Sequence, residues 1–183
     1  MQEEEWILSI DKDDIQVFTK KVDGSRINKF LARTQVTETP NAVLDLLKNI
    51  EDYKNWIDRC SSAEIIHTDH SGGEWSSYIH TKISVPFIQD RDLVQKFKII
   101  PKPNGFIIEV TSLPNYISEI NGLIRMHSAG FWNITIDENG LTRVEMEFTS
   151  DPMGSIPPWI INSQLTKSPY KTLKSLRDKL EKN

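Results

Sequence analysis

Cysteine is almost missing from this sequence: Cys60 stands alone, which excludes an internal disulfide and any cysteine-built zinc module. A basic excess is missing too. Lysine and arginine number 22 against 26 acids, a formal net charge of −4, which is the wrong sign for a phosphate-binding surface, so no nucleic-acid partner is expected. Long apolar runs are absent; Phe106-Ile107-Ile108 is typical of the longest, far short of the ~20 residues that a membrane-spanning helix needs. The opening Met1-Gln2-Glu3-Glu4-Glu5 is acidic where a secretory signal is basic and then apolar, so cytoplasmic is the default expectation for the chain as numbered. No repeat, low-complexity tract or Gly/Ser linker breaks the chain, and one domain over residues 1–183 is expected. Phosphate-cradling glycine loops, a GxSxG elbow and an HExxH helix do not occur, which removes the chemistries they carry.

What is present is an ordinary folding composition, 38% hydrophobic and 26% charged over 183 residues. A domain of this size buries roughly 70% of its unfolded surface, enough for a core and a ligand cavity together. Ile15–Val22 and Lys29–Thr37 read as strands around a turn at Asp23-Gly24-Ser25. Thr39-Pro40 opens a helix, with Thr39 as cap, Pro40 in the first turn and Val43, Leu44, Leu46 and Leu47 as the apolar face. A second helical turn holds Tyr53 and Trp56. Strand then follows strand: Glu64–Asp69, a turn at Ser71-Gly72-Gly73, Trp75–Val85, Asp92–Ile100, Phe106–Thr111, and Leu123–Ile136 after a looser stretch from Leu113 to Asn121. The turn Asp137-Glu138-Asn139-Gly140 returns the chain into Leu141–Thr149. From about Pro157 to Glu181, Ile161, Leu165, Leu173, Leu176 and Leu180 recur mostly at spacings of three and four, the mark of a long amphipathic helix. Short turns between strands imply an antiparallel meander. The expected architecture is therefore α+β: a curved antiparallel sheet of about seven strands around one long C-terminal helix, with two short helices after the second strand.

Strand phase sorts the side chains. Lys96 and Lys98 mark the wet face of Asp92–Ile100, which turns Leu93, Gln95, Phe97 and Ile99 toward the helix. Arg143, Glu145 and Glu147 do the same for the last strand, leaving Val144, Met146 and Phe148 inside. Phe106, Ile108 and Val110 face inward opposite Glu109. In Leu123–Ile136 the inward set is Met126, Trp132, Ile134 and Ile136, with Arg125 and His127 on the other side unless Gly130 carries a bulge. An ordinary core and the wall of an apolar cavity both fit such a set, and periodicity does not separate them.

The order of several motifs resembles the START domains, the lipid-transfer fold related to the steroidogenic acute regulatory protein. Trp6-Ile7-Leu8 followed by Asp14-Ile15-Gln16-Val17-Phe18 resembles that family's opening helix and first strand. Tyr53-Lys54-Asn55-Trp56 resembles its short second helix, and Pro86-Phe87-Ile88-Gln89-Asp90-Arg91-Asp92 the corner that opens a central strand. Gly122-Leu123-Ile124-Arg125, Asp151-Pro152-Met153-Gly154-Ser155-Ile156-Pro157 and Trp159-Ile160-Ile161-Asn162 resemble the later strand and the entry to the closing helix. The resemblance implies a helix-grip fold of the Bet v 1-like superfamily, holding one lipid-like molecule in a tunnel between sheet and helix, with Leu113–Asn121 as the loop at its mouth. Two departures stand out. Met153 occupies the third position of what is often Asp-Pro-Gly-Gly, and Tyr78 and Phe97 occupy the positions of a Glu–Arg pair that steroid-type members carry inside the cavity. The cavity implied here is correspondingly more apolar, with the Tyr78 hydroxyl as a polar handle.

The candidate ligand-binding residues are Tyr78, Phe97, Ile99, Ile108, Arg125 and Met126, with Trp132, Met146, Phe148, Ile161 and Leu165. Leu113, Tyr116, Ile117 and Ile120 are the expected cavity mouth, opening together with the front of the last helix. Burying about eight methylenes at ~0.8 kcal/mol each provides roughly 6 kcal/mol. The partner expected is a lipid or other hydrophobic small molecule, with a monomeric protein, no cofactor and no metal. Arg91 and Asp92 read as a charge pair fixing a strand corner, or as a ligand contact. His67 and His70 border a turn and face opposite ways, a poor metal geometry. Cys60 beside Arg59 has one feature of an activated thiol but no histidine near it in sequence. The lysines of the last helix are its wet face or a transient contact with an anionic membrane surface. Two other functions stay open. One is a polyketide cyclase or aromatase of the same superfamily, with Tyr78 or His80 as acid/base group; the other is a module whose concave face grips a partner protein.

Overall fold

The computed structural model describes residues 5–25, 27–70, 75–85 and 88–182. The expected turn at Ser71-Gly72-Gly73 and the Pro86-Phe87 part of the corner lie outside them. The fold is α+β, a curved ten-stranded sheet gripping a long C-terminal helix. Its strands are β1 (Ile7–Lys12), β2 (Ile15–Lys20), β3 (Lys29–Val36), β4 (Cys60–Asp69), β5 (Trp75–Ile83), β6 (Arg91–Lys102), β7 (Gly105–Ser112), β8 (Ile124–Arg125), β9 (His127–Ile136) and β10 (Thr142–Asp151). They run in the order β1-β2-β3-β10-β9-β7-β6-β5-β4, with the two-residue β8 beside β6. Between β3 and β4 come α1 (Pro40–Lys48) and a 3-10 turn (Ile50–Asn55); α2 (Pro158–Leu180) ends the fold. No helix among the described residues is long and apolar enough to cross a membrane.

Ten strands replace the expected seven or so: the segments named above number eight, and two local departures add one strand each. Ile7–Lys12, expected to resemble an opening helix, pairs antiparallel with β2. Asp13 and Asp14 join the two through consecutive positive φ values of 54° and 56°, the backbone of a tight hairpin that Asp tolerates better than most residues. The segment expected as one strand from Leu123 splits: β8 runs parallel to β6, and β9 begins at His127. Gly130 carries no bulge, since β9 and β10 stay in register from Thr142–Ile136 to Asp151–His127. It is glycine for a different reason. A Cβ there would lie 1.9 Å from the Glu147 carbonyl oxygen.

Helix α1 begins as its residues dictate, with the Thr39 hydroxyl accepting from the Ala42 amide and Pro40 in the first turn. It buries Val43, Leu44 and Leu47 against β7 and β9. Helix α2 buries Leu173, Leu176 and Leu180 in its second half, packed on β2 and β3. That half is also strapped from outside: Tyr170, Lys174 and Arg177 all bond Asp13, and Lys179 reaches Asp52 at 2.8 Å. Pro169 separates it from the first half, which lies over the cavity. Before α2, Met153 adopts φ 55° and Gly154 φ 67°. The methionine therefore holds the left-handed backbone that glycine adopts without strain.

Candidate functional site

Between the concave face of the sheet and the first half of α2 lies a cavity of about 270 Å³. β6 contributes Leu93, Gln95 and Phe97, β9 contributes Ser128 and Trp132, and β10 contributes Met146, Phe148 and Ser150. Met126 enters between β8 and β9, and α2 closes the space with Ile160, Ile161, Gln164 and Leu165. Val85 and Ile88 of the β5–β6 connection, with Pro152 and Ile156 before α2, complete the wall on that side. The strand alternation explains this wall: successive inward residues of β6, β9 and β10 converge because the sheet curves around the helix.

Seven of the expected residues line this cavity: Phe97, Met126, Trp132, Met146, Phe148, Ile161 and Leu165. Phe97, Trp132, Met146 and Leu165 bound the space without filling it. Ile99 and Ile108 have the expected inward phase yet lie outside the wall. Ile108 is 1% exposed in the core on β7, which α1 covers. Ile99 pairs with Trp75, whose ring carries the Lys48 ammonium of α1 at 5.4 Å. Neither side chain is among those that line the cavity.

Tyr78 and Arg125 occupy the opposite, convex face. Tyr78 stacks on Tyr116 with ring centroids 4.8 Å apart, and the Lys96 ammonium lies 5.5 Å from its ring. Arg125 is 8% exposed and clamps Asp92 with two bonds of 2.9 Å, from Nε and Nη2. Its remaining hydrogens go to the carbonyls of Pro114, Ile117 and Ser118. The other Asp92 partner is His80, with Nε2 3.0 Å from Oδ2, and His80 Nδ1 lies 3.0 Å from Glu64 Oε1. Burial alone would raise the Asp92 carboxyl, but the bonds from Arg125 and His80 outweigh it and hold the group below its ordinary value. This cluster ties residues 113–121 to the back of the sheet. Leu113, Tyr116, Ile117 and Ile120, expected at the mouth, therefore do not line the cavity; Tyr116 is 45% and Ile120 36% exposed on the convex side.

Arg91 divides its roles. It lines the cavity while 3% exposed, and its guanidinium donates to the carbonyls of Gln89 and Pro152, fixing the corner as its neighbour Asp92 does from the other face. Burial lowers its pKa. Tyr53 lines the cavity with its hydroxyl committed to the Leu47 carbonyl, and burial pushes that group up. Cys60 is the reverse of an activated thiol: burial raises it to about 11. His67 leans on Tyr78, and no group of three or more metal-ligating side chains gathers among the described residues.

Sequence reasoning passed over Asp58 and Arg59, both of which line the cavity. They follow the 3-10 turn, where no strand or helix period assigns a face. Their only signal was a charged pair directly after the aromatic Tyr53-Lys54-Asn55-Trp56. Four of the five basic residues of α2 are paired within the chain, Lys171 with Asp58, Lys174 with Asp13, Arg177 with Asp14 and Lys179 with Asp52.

No family model matches the chain. It is 28% identical over 182 residues to the uncharacterized protein PA1579 of Pseudomonas aeruginosa, covering 98% of this chain and 88% of that one. Among solved structures, a STAR-related lipid transfer protein fragment from Xanthomonas axonopodis superposes with a TM-score of 0.87 at 24% identity, covering 96% of this chain and 98% of the other. The ZhuI aromatase/cyclase of a Streptomyces species superposes less closely, with a TM-score of 0.59 at 14% identity over 84% of this chain and 93% of its own. Sheet order, gripped helix and superposition together identify the protein's architecture as the helix-grip fold of START domains.

Proposed function

We propose that the protein binds a lipid-like hydrophobic molecule in the cavity between the sheet and α2, and hands it on chemically unchanged. The observation that carries this reading is the cavity itself: about 270 Å³ of space walled mainly by Phe97, Trp132, Met146, Phe148, Ile161 and Leu165. At about 30 Å³ for a water-sized group, that is room for on the order of nine such groups, the scale of one medium-length alkyl chain. Nine methylenes at ~0.8 kcal/mol supply about 7 kcal/mol, close to the ~8 kcal/mol of micromolar affinity before ordering costs. The fold it shares with a protein described as a lipid transfer protein supports the same reading.

Carriage is favoured over cyclase chemistry by where the acid/base candidates sit. His80 and Tyr78 lie on the convex face, and no histidine lines the cavity. Exchange with a membrane is the simplest delivery for such cargo, and the front of α2 suits it: Trp159 is 72% exposed and directly precedes the wall residue Ile160, placing an interfacial aromatic beside the cavity. Native mass spectrometry of freshly purified protein, followed by extraction, tests the proposal. A mass increment that dissociates as a single-chain lipid is the expected result; protein that is empty and fails to take up any added hydrophobic probe overturns it.

A further inference from the structure

We infer that the cavity takes an anionic single-chain amphiphile of the fatty-acid class, with its carboxylate on the Arg91 guanidinium. The inference rests on the cavity reading above and deepens it by naming the head group. Three charged side chains line the cavity, Asp58, Arg59 and Arg91, so the wall carries one positive charge in excess. The Asp58 charge is met from two sides, with the Arg59 guanidinium and the Lys171 ammonium each 3.7 Å away. Arg91 has no such answer. It is 3% exposed and forms no ion pair among the described residues. Asp90 acts on it from a distance, with its own carboxylate bonded to Ser84 Oγ at 2.8 Å. A guanidinium keeps its charge even when buried, and buried charges are ordinarily paired. Here the cavity is where the missing anion can enter.

The guanidinium also has a free edge. Nε and Nη1 donate to the carbonyls of Pro152 and Gln89, which hold the group in place. Nη2 has no hydrogen-bond partner among the described residues, yet it is not one of the shielded unpaired atoms, which are Trp56 Nε1, Asp58 Oδ2 and Arg59 Nε. A water-sized group therefore reaches it. Nη2 lies beside Gly154, where a Cβ would stand 3.9 Å away, at the corner that leads into α2. The wall residues Ile88, Pro152 and Ile156 surround that end of the cavity. From Arg91 the inward side of β6 continues through Leu93 to Phe97, both on the wall, so a chain whose head sits at the corner lies along an apolar track. A carboxylate supplies both the charge and the acceptor oxygens that Nη2 lacks. A hydroxyl supplies an acceptor and leaves the charge unmet. An ammonium supplies neither and adds repulsion.

Displacement of the apolar fluorophore N-phenylnaphthylamine by decanoate, decanol and decylammonium at about pH 8, where the acid is ionised, tests the assignment. In the wild-type protein decanoate is expected to bind at least several-fold more tightly than decanol, and decylammonium more weakly than either. Arg91→Gln keeps an amide donor for the corner but removes the charge and Nη2, and should lower the decanoate-over-decanol ratio about tenfold, the scale of one charged hydrogen bond. Loss of the corner alone would weaken both ligands alike and leave the ratio unchanged. Carbon-13 resonance of carboxyl-labelled decanoate, followed from about pH 8 to pH 4, decides the matter on the wild-type protein even if the variant does not fold. A carboxyl seated on a guanidinium titrates below the free acid, whereas one buried in apolar surroundings titrates above it. A bound carboxyl shifted upward, decanoate that binds no better than decanol, or a ratio that survives in folded Arg91→Gln overturns the inference while leaving the cavity reading intact. Should the fluorophore and all three ligands fail to bind, the cavity reading falls and this inference with it.

Discussion

Replacing Arg125 by methionine keeps the bulk of the side chain and removes the guanidinium that ties residues 113–121 to the back of the sheet. In the wild-type protein this group makes two 2.9 Å bonds to Asp92 and meets three carbonyls of the 113–121 segment. Asp92 is 1% exposed, so the variant leaves a shielded carboxylate with His80 as its remaining partner. Removing one member of a buried ion pair costs about 3–5 kcal/mol, mostly as the penalty of the stranded charge. For a chain of this length that corresponds to a melting temperature lower by roughly 6–20 °C. The carbonyls of Pro114, Ile117 and Ser118 lie at a rim that water reaches, and add little. Guanidinium-induced unfolding measures the loss, and amide hydrogen exchange locates it: protection in 113–121 should fall first, while β9 and β10 stay protected. The double replacement Arg125→Met with Asp92→Leu should recover part of the loss, since the stranded charge goes with its partner. A single variant that loses less than about 1 kcal/mol and leaves the exchange of 113–121 unchanged refutes the tether.

Two further outcomes follow from named contacts. Asp92 has its folded pKa depressed, so its contribution is present above the unfolded value of about 4 and disappears as pH falls through the lower folded value. Unfolding measured between about pH 6 and pH 2 should show the wild type losing stability in acid more steeply than Asp92→Asn, and equal slopes would contradict the assignment. Trp159→Ala should leave the melting temperature within about 1–2 °C, since an exposed site away from special features changes stability by ~0.5 kcal/mol or less, yet weaken co-sedimentation with phosphatidylcholine vesicles. Unchanged vesicle binding removes α2's front from the delivery route.

Phase proved legible in the sequence, and depth did not. Alternation in β6, β9 and β10 assigned Phe97, Trp132, Met146 and Phe148 to the concave face, because lysines and glutamates cannot share that face and so mark the other one. The same rule placed Ile99 and Ile108 inward, but whether an inward side chain meets empty space or another element depends on where α1 lies, and α1 docks through contacts far apart in sequence. Arg125 shows the limit from the other side. Its phase points away from the helix although it stands among the candidate ligand residues, and its partner Asp92 is brought to it only by the parallel pairing of β8 with β6. The loop at 113–121 was misplaced for the same reason, its position being set by a guanidinium reaching in from the next strand.

The two faces of the sheet divide the polar cost between them in a way that bears on what the cavity can do. Glu64, His80, Asp92 and Arg125 form a hydrogen-bonded chain on the convex face in which the Asp92 carboxylate meets the Arg125 guanidinium directly. Breaking its central link strands the buried Asp92 carboxylate. On the concave face Arg91 donates to the carbonyls of Gln89 and Pro152, and Asp58 has the Arg59 guanidinium and the Lys171 ammonium each 3.7 Å away. β5 and β6 are already held together by their backbone ladder from Trp75–Ile99 to Ile83–Arg91, and the chain adds a layer of side-chain bonds behind it. Changes to the convex chain should therefore show first as lost stability, since none of its four residues lines the cavity.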